Sequence, residues 1–198
     1  MILTNPAIRR IVLCSGSPRR RELLQQVGLT DFDIRVPDAD EHFPDALDPA
    51  LIVQHISENK AAAARKLCRD DELFITADTM VFLDDLRLGK PHSEEEAREM
   101  LRSLSGRSHH VLTGVSVGLG DQLRTEVDST EVHFRTLSEE QITRYIASGE
   151  PMDKAGAYGI QGLGALLVTA IVGDYSNVVG LPLLRLGRML SYFGVVLL

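Results

Sequence analysis

The chain has 198 residues, 44% of them hydrophobic and 25% charged, the balance of an ordinary globular domain, which excludes a disordered or fibrous chain. Its 21 Lys plus Arg against 28 Asp plus Glu leave a formal charge of -7, so a nucleic-acid polymer is not an expected partner and any anion must meet a local basic cluster. Cys14 and Cys68 form no CxxC and have no His at zinc-finger spacing; neither a disulfide framework nor a structural zinc is expected, and a reducing, cytoplasmic setting fits.

The first segment does not read as a signal peptide, since Asn5-Pro6 and Arg9-Arg10 leave only the short apolar run Ile11 to Cys14. That run, bounded by Ser15-Gly16-Ser17, predicts a buried strand ending in a turn. Ser17 before Pro18 predicts a helix start, with Leu23, Leu24 and Val27 on one face and Gly28 as the stop. Asp48-Pro49 predicts a second helix running past Ile52, Ile56 and alanines 61 to 64. Phe74 to Leu83 is strand-like but broken at Ala77-Asp78-Thr79, and Ser93 with Glu96 predicts a capping box before a third helix.

Residues 110–117 and 125–134 predict an antiparallel hairpin turning at 118–122, with His109-His110 as strand-start residues. Ser138 with Gln141 is a second capping box, and its helix ends near Ser148-Gly149. The uncharged stretch from Ala155 to Gly173 is interrupted by four glycines and Gln161, so it reads as loop plus a strand from Ala165 to Val172, not as a membrane span. A helix from Pro182 to about Tyr192 ends the pattern. One domain over 1–198 is expected, of α/β or α+β class, built on a mixed sheet.

Five features carry chemistry. Three arginines, Arg19 to Arg21, in the first turn of a helix oppose its dipole unless an anion binds there, and Ser15, Gly16 and Ser17 would supply hydroxyl and backbone donors to a phosphate. A solvated basic turn is the plainer reading. Asp78 is an acid inside an apolar strand pattern, which demands an ion pair, hydrogen bonds or a metal, although a strand-end turn would also explain it. Glu41, in the acidic run with Asp38 and Asp40, could join Asp78 on a divalent cation or lie in a solvated loop. Lys60 and Lys90 could be surface lysines, with Gly89 and Pro91 restricting the backbone at the latter; the glycine-dense segment around Gln161 reads either as close backbone approach to a ligand or as a tight connection.

Together these segments resemble the Maf (septum formation inhibitor-like) family of nucleotide pyrophosphatases. The resemblance runs through SGSPRRRELL at 15–24, ENKA at 58–61, ADTMVFLDD at 77–85, LGKP at 88–91, EEAREMLRSLSGRSHHVLTGVSV at 95–117, SGEPMDKAGAYGIQGLG at 148–164 and GDYSNVVGLPL at 173–183. It implies an α/β fold, a mixed twisted sheet flanked by helices with a cleft, similar to that of the inosine triphosphatase group, and hydrolysis of a nucleoside triphosphate to monophosphate and pyrophosphate with a divalent metal, Mg²⁺ or Mn²⁺.

By the same resemblance, Asp78 takes the catalytic acidic position, with Glu41, Lys60 and Lys90 as further polar site residues and Asp78 and Glu41 as metal ligands. Ser15, Ser17, Arg19 and Arg20 would bind phosphate. The loop from Asp153 to Gly162 looks like that of the branch acting on dTTP and UTP, where Arg19, Thr79 and Gln161 fall at positions associated with substrate choice. A homodimer is implied too, and a housecleaning enzyme that removes modified pyrimidine nucleotides is a narrower alternative within the same class. The alternative is a nucleotide-binding regulator of cell division with little turnover.

Overall fold

The computed structural model describes residues 1–43 and 47–198. In chain order the strands are β1 (Ile2–Leu3), β2 (Arg10–Leu13), β3 (Asp33–Ile34), β4 (Glu72–Leu83), β5 (Leu86–Leu88), β6 (Ser108–Leu119), β7 (Gln122–Phe134), β8 (Val168–Val172) and β9 (Val195–Val196). The helices are α1 (Pro18–Gln26), α2 (Pro49–Arg65), α3 (Glu94–Leu104), α4 (Glu139–Ala147), α5 (Tyr175–Val179) and α6 (Leu183–Tyr192), with three short 3₁₀ turns between α4 and β8. Seven strands form a mixed sheet in the order β3-β2-β4-β6-β7-β8, with β5 paired to β4, while β1 and β9 pair separately. Among the described residues no helix is long and apolar enough to cross a membrane.

The chain packs as two compact units. The first comprises Met1–Asp78, Thr113–Asp128 and Gly180–Leu198; the second comprises Thr79–Leu112 and Ser129–Val179. In the first, β2 is parallel to both β3 and β4, with Leu13 opposite Ile34 on one side and Ile75 on the other. Strands with neighbours on both edges and helices over the sheet are buried throughout, which is why β2 and the first seven residues of β4 are continuous in burial instead of alternating. The α2 face made by Ile52, Val53, Ile56, Ser57, Ala61 and Ala64 covers this part of the sheet. Contact there is close enough that a Cβ on Gly114 of β6 would lie 2.2 Å from the Val53 carbonyl oxygen, so only glycine fits.

In the second unit α3 and α4 bury Ala97, Leu101, Leu104, Ile142 and Ile146 against the sheet residues Val81, Leu83 and Val132. The box at Ser138 and Gln141 forms in full, whereas Glu96 accepts from the N–H of His92, leaving Ser93 to cap the Glu96 N–H alone. His109 is buried, bonded to the Tyr158 hydroxyl at 2.7 Å and edge-on to Phe134, which makes it a core residue; burial, with the nearby His110 and His133, lowers its pKa to about 4.

Three expectations change. β4 runs unbroken through Ala77-Asp78-Thr79. The hairpin is longer than its apolar pattern suggests and turns at Gly120-Asp121. The segment from Gly162 to Leu166 is a 3₁₀ turn, with the strand beginning only at Val168.

Candidate active site

Parallel pairing decides what meets in the first unit. Because β2, β3 and β4 run the same way, the loop after Leu13 and the segment after Ile34 leave the sheet level with Thr76–Asp78, partway along β4. Main-chain bonds extend that register beyond the strands: the Cys14 N–H donates to Ile75 at 2.8 Å and the Arg35 N–H to Leu13 at 3.1 Å. Carboxyl ends of parallel strands are the usual place for ligands in open α/β sheets. Here they collect Ser15, Ser17, Arg19, Arg20, Glu41 and Asp78.

Helix α2 supplies the cation. Thr76 Oγ1 donates to the Ser57 carbonyl, and Ser57 Oγ is bonded to Ser116 Oγ at 2.8 Å, which fixes the helix over β4 and β6. One turn on, Lys60 Nζ lies 2.6 Å from Asp78 Oδ1 and 2.8 Å from Glu41 Oε1. The Asp78 side chain is 12% exposed and that of Lys60 17%, so this is a desolvated pair; Glu41 remains 65% exposed at its rim. A charge placed so deeply requires such a partner. The Asn59 side chain donates to the Asp40 carbonyl at 3.3 Å, holding the acidic segment against α2.

The basic motif divides its labour. Arg20 donates from Nε to the Gly180 carbonyl at 2.8 Å and from Nη1 to Ser15 Oγ at 3.1 Å. Burial lowers the Arg20 pKa; the Asp78 carboxylate opposes that fall and the like charge of Arg19 adds to it. Two guanidinium groups thus reinforce one another's cost at a helix start that is short of negative charge, since the first turn of α1 holds no acid. Ser15 Oγ acts as acceptor toward Arg20 and toward the Ser17 N–H, so its own proton is not spent on either. Gly16 lies outside the left-handed region, and a Cβ there would meet Val36 at an ordinary 3.5 Å. The fold itself does not demand glycine at this position.

Thr79, Lys90 and Gln161 belong to the second unit. On a continuous strand the Thr79 side chain takes the opposite face from Asp78. Lys90 and Gln161 are exposed, and the Gly156 N–H donates to the Gly89 carbonyl at 3.0 Å, tying the Lys90 turn to the glycine-rich segment. The sequence reading does not single out Gly180, whose contribution is a backbone carbonyl, nor Tyr145 and Glu150, whose only signal is the glycine density they hold in place.

Among the described residues no three His, Cys, Asp or Glu side chains converge as a metal cage. The Glu41 and Asp78 carboxylates, drawn to one ammonium, are nonetheless a hard oxygen pair of the kind that Mg²⁺ takes when a phosphate substrate and water complete its shell. Cys14 and Cys68 are free thiols with sulfurs 3.9 Å apart, and burial raises both pKa values.

Comparison with known proteins adds an independent line. The chain is 49% identical over 187 residues to a dTTP/UTP pyrophosphatase of Symbiobacterium thermophilum, covering 94% of this chain and 95% of the relative. It is 48% identical over 189 residues to the protein of the same name from Pelotomaculum thermopropionicum, covering 94% and 98%, and 46% identical over 194 residues to that of Alkaliphilus metalliredigens, covering 96% and 100%. The structure of the Staphylococcus aureus Ham1 protein aligns over 79% of this chain and 78% of that one at 15% identity and a TM-score of 0.47, a distance at which it adds nothing to the fold described above. The family model described as Maf-like protein matches residues 10–193, and with near full-length relatives at almost half identity the chain belongs to the Maf family.

Proposed function

We propose that this protein hydrolyses dTTP and UTP to the nucleoside monophosphate and pyrophosphate, the activity that gives its relatives their name. The observation that carries the reading is the convergence, beyond the carboxyl ends of β2 and β3, of a guanidinium-rich helix start with the Lys60–Asp78 pair. Water attacks the α-phosphorus; a new P–O bond forms as the bond from that phosphorus to the β-phosphate oxygen breaks, and pyrophosphate departs. Such a reaction needs alignment and charge neutralisation more than covalent help.

Arg19, the Ser15 and Ser17 hydroxyls and the backbone around Gly16 hold phosphate oxygens. Arg20, anchored on Gly180, keeps Ser15 in place and adds fixed positive charge. Lys60 offsets charge on the phosphates and, by its bond to Oδ1, fixes the Asp78 carboxylate so that it can accept the hydrogen bond of the attacking water. Asp78 and Glu41 would hold a Mg²⁺ or Mn²⁺ ion, which when bound supplies further neutralisation of the phosphates. Lys90, Thr79 and Gln161 enter this reading on family resemblance alone, Gln161 with an amide whose donor and acceptor match the N3–H and O4 of uracil or thymine.

The reading includes a two-fold homodimer, supported by family resemblance and the prevalence of such symmetry, and a cytoplasmic location, supported by a sequence with two cysteines and no disulfide framework. The test is pyrophosphate release from purified protein with UTP, dTTP, CTP, GTP and ATP, reported as kcat/KM. Preference for UTP and dTTP is expected. Tight binding of UTP without turnover would instead support a regulator that binds nucleotide.

A further inference from the structure

The glycine-rich segment after α4 is held by two side chains with no part in phosphate chemistry. Glu150 Oε1 accepts from the Gly164 N–H at 3.0 Å and from the Tyr145 hydroxyl at 2.9 Å, and Glu150 Oε2 accepts from the Leu163 N–H at 2.9 Å. The Tyr145 oxygen in turn accepts from the Gly159 N–H at 3.0 Å. One carboxylate and one phenol therefore fasten the backbone on both sides of Gln161, at 159 before it and at 163 and 164 after it. Tyr145 itself is 4% exposed and set in the core of the second unit, so the fastening is referred to a rigid base.

The anchor is built for a charge. Burial works against ionisation of Glu150, yet the N–H groups of Gly164 and Leu163, the Tyr145 hydroxyl and the Lys154 ammonium hold its pKa below the ordinary carboxylate value. Lys154 Nζ also donates to the Glu150 carbonyl at 2.5 Å. The glycines are what this packing requires: a Cβ on Gly162 would come 2.6 Å from Glu150 Oε2, and one on Gly164 would come 2.0 Å from the Gly159 carbonyl and 2.7 Å from the Tyr145 hydroxyl. Yet the segment between the anchors is exposed at Gln161 and Gly162. A tightly fastened loop that presents an amide at its tip has the form of a reading head, because an amide discriminates bases only while its orientation is fixed.

We infer that Glu150 and Tyr145 are positioning residues for base selection, acting through the loop on Gln161; this rests on the function proposed above. Glu150→Gln keeps the shape, but a single amide oxygen cannot replace both carboxylate oxygens, and the NH₂ must face the N–H of Leu163 or of Gly164. Tyr145→Phe removes one hydroxyl and frees the Gly159 N–H. In the full chain each substitution is expected to lower the ratio of kcat/KM for UTP to that for CTP and for GTP by about three- to tenfold, the worth of one lost hydrogen bond. Amide exchange at 159–164 should quicken in both variants and remain unchanged elsewhere, which also reports whether either has lost its fold.

The deciding arm repeats both substitutions in a Gln161→Ala background, where neither should alter the ratio further. A ratio that stays constant in Glu150→Gln and Tyr145→Phe while Gln161→Ala lowers it overturns the inference. So does a loss of equal size with and without Gln161. A parent that fails to distinguish UTP from GTP overturns the functional reading itself, and that parent assay tells the two failures apart.

Discussion

Lys60 Nζ sits 2.6 Å from Asp78 Oδ1, joining a helix and a strand 18 positions apart in sequence through a pair that is almost wholly desolvated. Removing one partner of such a pair leaves the other charge stranded, whereas removing both does not. Lys60→Met should therefore lower stability by about 3 kcal/mol, and the double variant Lys60→Met/Asp78→Asn should regain most of it. Urea titrations of the four proteins check this. Asp78→Asn alone should keep the fold and reduce kcat by about a hundredfold or more, since the amide preserves shape but not charge. Activity within a few-fold of the parent would remove Asp78 from the mechanism.

Gly16→Ala separates ligand binding from folding. The position accepts a Cβ without strain, so thermal unfolding should shift by no more than about 0.5 kcal/mol, or rise slightly as the unfolded chain loses freedom. If a phosphate approaches the backbone there, KM for UTP should increase by roughly tenfold. Unaltered KM and kcat would mean that the basic motif is a solvated turn.

His109 gives a pH signature in a defined window. Its folded-state pKa is about 4 against an ordinary value of 6.5, so between those pH values the unfolded chain takes up a proton that the folded chain refuses. Stability contributed by this group is present in full above pH 6.5 and is lost as pH falls toward 4, by up to about 3 kcal/mol. His109→Phe, which keeps an aromatic ring beside Phe134 and Tyr158, should flatten that slope in urea denaturation at a series of pH values. An unchanged slope would assign the acid sensitivity to other groups.

Chelation should abolish turnover and Mg²⁺ or Mn²⁺ should restore it, because the oxygen pair of Glu41 and Asp78 suits hard cations. Steady-state rates before and after exhaustive chelation check this, and full activity without divalent metal would contradict the proposed role of the pair.

Local rules made much of this legible. The Ser138–Gln141 box, the Ser17-Pro18 helix start and the hairpin are each determined within a few residues, and the structure contains them. Asp78 reads as a strand break because an isolated acid destabilises a buried strand; its compensation comes from Lys60, which no local pattern couples to it. The Arg20 anchor is a carbonyl 160 positions away and has no side-chain signature. Strand order, set by parallel pairing of β2 with β3 and β4, is what gathers Ser15, Glu41 and Asp78, and it is a property of long-range contacts alone. The candidate site residues stand out as chemical anomalies, whereas Glu150 and Tyr145, which fasten the backbone around Gln161, resemble any surface acid and core aromatic.

The most direct test of the account is the fate of the attacking oxygen. UTP hydrolysed in ¹⁸O-water and analysed by mass spectrometry should yield UMP carrying one heavy oxygen and unlabelled pyrophosphate. Label in the pyrophosphate, or release of orthophosphate with UDP, would contradict attack at the α-phosphorus.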